Sequence, residues 1–88
     1  GLIGYGAIGR ELAAALLADD TARYRISVLV RSGDSIAFSD PRLTGAHDFL
    51  RLPRAPELVV EAAGQTAVAS AVPPLLEAGI PVVIASIG

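Results

Sequence analysis

Cysteine and lysine are both missing from the 88 residues of this chain. Without Cys, the chain can form no disulfide and no thiolate metal site. All seven basic residues are Arg, so no Lys is present to form a Schiff base or to complete a phosphate-binding loop of the Walker A type. His47 is the only His, and one His with scattered acids makes no ligand cluster, so we expect no metal site.

The net charge and the length of the apolar runs exclude further classes of protein. The net charge of −2 gives no indication of a nucleic-acid surface. The longest apolar runs are interrupted by Pro or by charged residues and are too short to cross a bilayer, so we expect no membrane partner. Hydrophobic residues make up 52% of the chain, which favours a well-packed globular core. With no Cys in the chain, we expect a cytoplasmic protein.

Six residues near the start, Gly4-Tyr5-Gly6-Ala7-Ile8-Gly9, carry glycine at the first, third and sixth positions. Apolar Leu2-Ile3 precedes them and predicts the end of a buried strand, and residues 7–18 have helical character. A glycine loop between a strand and a helix is the context that a dinucleotide-binding loop requires. The competing interpretation is a tight strand-to-helix turn that binds no ligand.

Each glycine has a separate role if the loop binds a dinucleotide. Gly4 permits the sharp turn after the strand, Gly6 lets a pyrophosphate approach the backbone, and Gly9 lets the helix lie close to the strand. The free N–H groups at the helix start would then face the phosphates. We therefore predict that the loop residues of the cofactor site are Gly4, Gly6, Ala7, Ile8 and Gly9.

The rest of the chain alternates between strand and helix patterns. Residues 24–30, 57–61 and 81–87 read as strands, and residues 67–78 read as a helix with Thr66 as its N-cap. Pro73-Pro74 should kink that helix or divide it in two, and Gly79 should end it. The first helix should bury the face that carries Ile8, Leu12, Ala15 and Leu16.

Residues 35–56 form an irregular link in which residues 36–38 could be a short strand and residues 43–52 could hold one or two helical turns. Strand one should be central, with strand 24–30 and the 36–38 segment on one side and the two later strands on the other. The pattern predicts an α/β fold, a Rossmann-type doubly wound and mostly parallel sheet. We expect residues 1–88 to be one dinucleotide-binding Rossmann domain, truncated at both ends, with the catalytic domain absent.

The end of the second strand predicts the choice of cofactor. In dinucleotide-binding folds an acidic residue there binds the ribose hydroxyls of NAD, whereas an Arg accommodates the 2′-phosphate of NADP. This chain has Arg31 at that point, with Ser32 beside it. We therefore predict NADP or NAD as the cofactor and Arg31 as a cofactor-binding residue. The alternative is an ordinary solvated loop Arg.

A second turn of small residues follows the strand at 57–61. Ala63 and Gly64 would let the chain pass close to the nicotinamide side of a cofactor, and we include both among the cofactor-binding residues. Ser86 and Gly88, after the last strand, should lie at the same rim. Glu61 could act as a general base, but a local hydrogen-bonded role is the preferred interpretation. We expect His47 to be a solvated surface residue.

Three segments resemble the N-terminal part of L-aspartate dehydrogenases: LIGYGAIGRE at 2–11, LVVEAAGQ at 58–65 and VPPLLEAGIPVVIASIG at 72–88. The first is shared by many dehydrogenases, and the later block is more specific. The resemblance implies an enzyme that interconverts L-aspartate with oxaloacetate and ammonia through iminoaspartate, using NAD(P). It also implies a dicarboxylic amino acid as substrate and a homodimer formed through a second domain. The family's proposed catalytic His lies in that second domain and does not match His47, so no catalytic residue is assigned here and the segment alone is not expected to be active.

Two other functions and a purely structural role remain open from the sequence. One is a related oxidoreductase of the homoserine-dehydrogenase or dihydrodipicolinate-reductase type, since these share the first motif and a similar turn of small residues. The other is a domain that senses NAD(P)(H) without turning it over. A non-binding α/β structural domain is a third, plainer interpretation.

Overall fold

The computed structural model describes residues 1–21, 23–31 and 33–86. In chain order the elements are β1 (Leu2–Ile3), α1 (Ala7–Leu17), β2 (Ile26–Leu29), β3 (Leu43–Ala46), a 3₁₀ turn (Phe49–Arg51), β4 (Val59–Glu61), α2 (Gln65–Glu77) and β5 (Val82–Ile84). The strands form one parallel sheet in the order β3-β2-β1-β4-β5. The predicted Rossmann-type α/β fold with strand one at its centre is confirmed. No helix in the described ranges is long and apolar enough to cross a membrane.

The sheet is packed on both faces, which explains the successive apolar residues of β1. Leu2 and Ile3 point to opposite faces, as neighbouring strand residues do. Leu2 belongs to a buried cluster with Ala13 of α1. Ile3 belongs to another with Leu75 of α2 and Val59 of β4. The two helices therefore lie on opposite faces of the sheet, and both approach the edge at which the strands end.

The predicted buried face of α1 is wrong by about one residue. The buried residues of this helix are Gly9 and Ala13, whereas Ile8 and Ala15 are exposed. The helix begins so close to β1 that a Cβ at Gly9 would overlap the carbonyl oxygen of Gly4. Only small side chains fit beneath a helix at that distance, so the small residues face the sheet and the larger ones flank it.

The third strand was predicted in the wrong segment. Residues 36–38 are not a strand, and β3 pairs with β2 in the register Ile26↔Leu43 to Leu29↔Ala46. Phe38 instead packs its ring against Tyr5, with ring centroids 5.3 Å apart. The predicted helical turns in 43–52 reduce to the 3₁₀ turn after β3. The short and Gly-containing β3 is a weak strand by propensity, and its pairing with β2 decides its conformation.

The N-cap of α2 is Gly64 rather than the predicted Thr66. Of the two outcomes predicted for Pro73-Pro74, a kink or a division, the division is wrong, because one helix spans both prolines. Each Pro removes one backbone donor from the helix, which leaves the carbonyls of Ala69 and Ser70 without their usual partners. Both of those residues are exposed, so water can satisfy their carbonyl groups. The helix therefore continues past the two prolines.

The end of α2 is as predicted. Gly79 has a φ of +81°, and its N–H donates to the Leu76 carbonyl at 3.0 Å. The N–H of Ile80 donates to the Leu75 carbonyl at 2.9 Å, which completes a Schellman motif. The remaining strands are shorter than predicted by one to two residues at their ends, and Ile87, predicted to close the last strand, lies outside the described residues.

Candidate functional site

The glycine loop and the turn after β4 are in direct contact where the strand order reverses. Gly4 has a φ of +93°, and a Cβ built there would lie 2.8 Å from the Cβ of Ala63 and 2.9 Å from the carbonyl carbon of Ala62. Side-chain-bearing residues rarely adopt this backbone conformation, and the space is already filled. Gly4 is therefore required by the fold itself, as is Gly9 beneath the first turn of α1.

Gly6 differs from the other two glycines of the loop. Its φ of −82° and ψ of −157° are accessible to any residue. A Cβ built on Gly6 would meet no atom within 4 Å. Neither backbone conformation nor packing within the chain accounts for glycine at this position. A ligand that lies against the backbone does account for it, because a Cβ would occupy the ligand's place.

The first turn of α1 presents backbone donors beside Gly6. The first helical hydrogen bond runs from the Arg10 N–H to the Gly6 carbonyl at 2.9 Å, so the amides of Ala7, Ile8 and Gly9 have no carbonyl partner in the helix. No side chain caps this end, and the first turn carries no acid. Ile8 is half exposed beside these amides. Free amides and the positive end of the helix dipole together suit an anion such as pyrophosphate.

Tyr5 is held on the side of the loop that faces the β2–β3 link. Its ring meets that of Phe38 edge to face, with an interplanar angle of 79°. The guanidinium carbon of Arg10 lies 4.7 Å from the centre of the Tyr5 ring, and Arg10 Nε donates to the Tyr5 carbonyl at 3.1 Å. These contacts hold the loop from one side, and no local sequence pattern predicts that the three residues meet.

The turn after β4 is organised by the carboxylate of Glu61. This side chain is completely buried. Its Oε2 accepts hydrogen bonds from the N–H groups of Ala63 and Gly64, each at 2.6 Å, and its Oε1 accepts a hydrogen bond from the Ser86 hydroxyl. The preferred interpretation of Glu61 as a locally hydrogen-bonded residue is confirmed. The link to Ser86, 25 residues away, was not predicted.

Hydrogen bonding keeps Glu61 ionised despite its burial. Burial alone raises the pKa of this carboxyl, but the hydrogen bonds from Ser86, Gly64 and Ala63 together outweigh that effect and leave the pKa below its usual value. In the described part of the chain no Arg forms an ion pair with Glu61. Its charge is therefore balanced by dipoles rather than by a cation.

The stability of the fold in acid should depend on Glu61. Because its folded pKa lies below the unfolded value of about 4.3, the ionised side chain contributes stability that is fully present above that value and is lost as pH falls through the folded pKa. Glu61→Gln should therefore lower the urea midpoint near neutral pH, and the difference from wild type should shrink below about pH 4. Urea unfolding of both proteins across this range, followed by circular dichroism, measures the effect. A difference that stays constant into acid would contradict it.

The other predicted site residues lie at the same edge of the sheet. Arg31 is exposed and follows the end of β2 by two residues, and its carbonyl accepts the Asp34 N–H at 3.0 Å. In the described ranges no ion pair or hydrogen bond joins its side chain to the glycine loop. His47 is exposed as predicted, and its Nδ1 lies 2.9 Å from the Val30 carbonyl, so Nδ1 carries the proton. Ser32 and Gly88 lie outside the described residues.

Comparison with known proteins gives one family match and several relatives. Residues 4–88 match the family model described as "Homoserine dehydrogenase, NAD binding domain". The chain is 38% identical over 91 residues to L-aspartate dehydrogenase 2 of Bordetella bronchiseptica, which covers 98% of the chain and 33% of that protein. L-aspartate dehydrogenase 2 of Bordetella pertussis gives the same values. L-aspartate dehydrogenase 3 of Bordetella bronchiseptica is 38% identical over 90 residues, covering 97% of the chain and 33% of that relative.

The chain spans about a third of the length of the curated relatives it matches. No solved structure matches it significantly. A parallel sheet whose strand order reverses at β1, with a glycine loop opening α1, defines a dinucleotide-binding domain of Rossmann type. The chain belongs to the family of homoserine-dehydrogenase NAD-binding domains. Its resemblance to L-aspartate dehydrogenases, predicted from three segments, extends over almost the whole chain.

Proposed function

We propose that residues 1–88 are the cofactor-binding domain of an NAD(P)-dependent amino-acid dehydrogenase, and that the complete protein oxidises L-aspartate to iminoaspartate, which yields oxaloacetate and ammonia. The observation that carries the binding role is the open space at Gly6 beside the free amides of α1. The choice of substrate rests on the 38% identity to L-aspartate dehydrogenases.

The glycine loop and the β4–α2 turn bind different parts of the cofactor. The amides of Ala7, Ile8 and Gly9 bind the pyrophosphate, and Gly6 leaves room for it. Ala63 and Gly64 belong to the β4–α2 turn, and their proposed role is to border the nicotinamide half. The nicotinamide supplies hydride transfer when bound. The catalytic groups, the site for a dicarboxylic amino acid and the homodimer contacts belong to the part of the protein outside residues 1–88.

Arg31 supports a role for NADP beside NAD. It is an exposed cation two residues beyond the end of β2, the position at which this fold contacts the ribose of the adenosine half. A guanidinium there can pair with a 2′-phosphate, and no acid stands at the strand end to repel it. We infer that the domain accepts NADP or both cofactors.

Steady-state kinetics of the complete protein test this function. We expect NAD(P)H to form with L-aspartate and to be consumed with oxaloacetate plus ammonia. In Arg31→Ala, kcat/KM for NADP should fall about tenfold while that for NAD stays the same, because one charge-assisted contact with the 2′-phosphate is lost. An unchanged ratio of the two values would remove Arg31 from the site.

Homoserine is the second candidate substrate, because the matching family model describes a homoserine dehydrogenase domain. The same assay with L-homoserine separates the two. A kcat/KM for homoserine well above that for L-aspartate would replace the proposed substrate and leave the cofactor-binding role intact.

A further inference from the structure

We propose that Glu61 is a positioning residue for the nicotinamide half of the cofactor, acting by holding the β4–α2 turn and the end of β5 together. The inference rests on the proposed cofactor-binding function and extends it to a residue that touches neither cofactor nor substrate. Glu61 is completely buried, so its carboxylate cannot reach a substrate and cannot act as a general base.

The two oxygens of Glu61 bond to different parts of the site. Oε2 accepts both backbone N–H groups of the turn, from Ala63 and Gly64, and Oε1 accepts the hydroxyl of Ser86. Ser86 follows β5 by two residues, and β5 pairs with β4. One side chain therefore joins the ends of two neighbouring strands at the edge where the second half of a dinucleotide lies.

The same carboxylate distinguishes the two helix N-termini at this edge. Neither α1 nor α2 has a side-chain cap, and neither has an acid in its first turn. The first-turn amides of both helices lack carbonyl partners, because the first helical bonds start at the N–H groups of Arg10 and Val68. The two amides just before α2 nevertheless donate to Glu61, which puts a negative charge of the chain itself at that helix start. This charge disfavours a phosphate at α2, so a phosphate is directed to α1 and the α2 turn is left to border the nicotinamide.

The position of the turn matters because it packs against the glycine loop. The Cα of Ala63 would lie 2.9 Å from a Cβ built on Gly4, so no space remains between the two turns at this point. Without Glu61 the Ala63 and Gly64 amides lose their acceptor, and Gly64, at a φ of +133°, keeps only the bond from the Val68 N–H to its carbonyl. The wall beside the nicotinamide would then move, while the phosphate site on α1 stays in place because Phe38 and Arg10 hold Tyr5 of the glycine loop from the other side.

Comparing the affinities of two ligands that differ only in the nicotinamide distinguishes a positioning role of Glu61 from a general loss of structure. Calorimetric titration of the complete protein with NADH and with ADP-ribose gives the two dissociation constants. Glu61→Ala should weaken NADH about tenfold or more and change ADP-ribose by less than about twofold, because only NADH reaches the turn. If wild type prefers NADPH, then NADPH and 2′-phospho-ADP-ribose replace this pair.

Two conservative variants complete the test. Glu61→Gln keeps an acceptor for the two amides and a donor for Ser86, so it should recover most of the NADH affinity lost in Glu61→Ala. Ser86→Ala keeps both backbone bonds and removes only the link to the end of β5, and it should weaken NADH about threefold with ADP-ribose unchanged. It also supplies the comparison of the two ligands if Glu61→Ala fails to fold.

The outcomes separate this inference from the proposed function. If wild type binds both ligands and the variants weaken both equally, or weaken neither, the positioning role is overturned and the binding role stands. If wild type binds neither ligand, the proposed function is overturned and the positioning role with it.

Discussion

Replacing Gly6 by Ser should abolish most cofactor binding in a protein that remains folded. Ser is among the preferred N-cap residues, and the backbone angles of Gly6 are accessible to it, so the free energy of unfolding should change by no more than about 0.5 kcal/mol. The new side chain would fill the open space beside the amides of α1. Loss of even one charge-assisted hydrogen bond to pyrophosphate, about 2 kcal/mol, corresponds to an affinity about 30-fold weaker.

Titration of NADH and urea unfolding of the same preparations measure the two quantities. Ala18→Ser adds a hydroxyl at the opposite end of α1, on an exposed residue, and should change neither of them. A Gly6→Ser protein that binds NADH as tightly as wild type would show that no ligand lies against Gly6.

Gly4→Ala should strongly destabilise the fold. A side chain at Gly4 must adopt a φ of +93° and must also displace Ala62 and Ala63, whose atoms lie within 2.9 Å of the new Cβ. Backbone strain of about 1–2 kcal/mol and overpacking of about 1–3 kcal/mol add to a destabilisation of about 2–5 kcal/mol. Cofactor affinity should fall as well, because the contact between the two turns of the site is forced apart.

Gly79→Ala is the matched control for this substitution. Gly79 has a similar φ of +81°, but a Cβ there would meet no atom within 4 Å. It should cost only the strain, about 1–2 kcal/mol, and leave NADH affinity unchanged. Urea unfolding of both variants gives the comparison. Equal destabilisation by the two substitutions would mean that the close packing of Gly4 on the second turn contributes nothing.

Sequence patterns predicted those parts of the fold whose conformation depends on residues that are close in sequence. The β1–loop–α1 unit was predicted with an error of one residue, because a strand, three spaced glycines and an alanine-rich helix each point to the same structure. Gly79 was predicted from the chemistry of helix ends, which involves only neighbouring residues. The central place of β1 followed from the topology common to such units.

Tertiary contacts decided the features that were predicted wrongly. β3 is a strand because it pairs with β2, and nothing in Leu43–Ala46 alone marks it as one. Helix α2 passes through Pro73 and Pro74 because packing beneath it outweighs two missing donors. The same holds for the candidate site. The glycine loop carries its own signal, whereas the bond from Ser86 to Glu61 joins residues 25 apart whose pairing no local pattern indicates.

Backbone amide NMR of the complete protein, titrated with ADP-ribose, shows whether the first turn of α1 binds the pyrophosphate of a dinucleotide. We expect the largest ¹H and ¹⁵N shifts at Gly6, Ala7, Ile8 and Gly9, with smaller changes at the turn of Ala63 and Gly64, whose amides donate to Glu61. Saturable binding whose largest shifts fall on the α2 turn, with the amides of α1 unmoved, would contradict it.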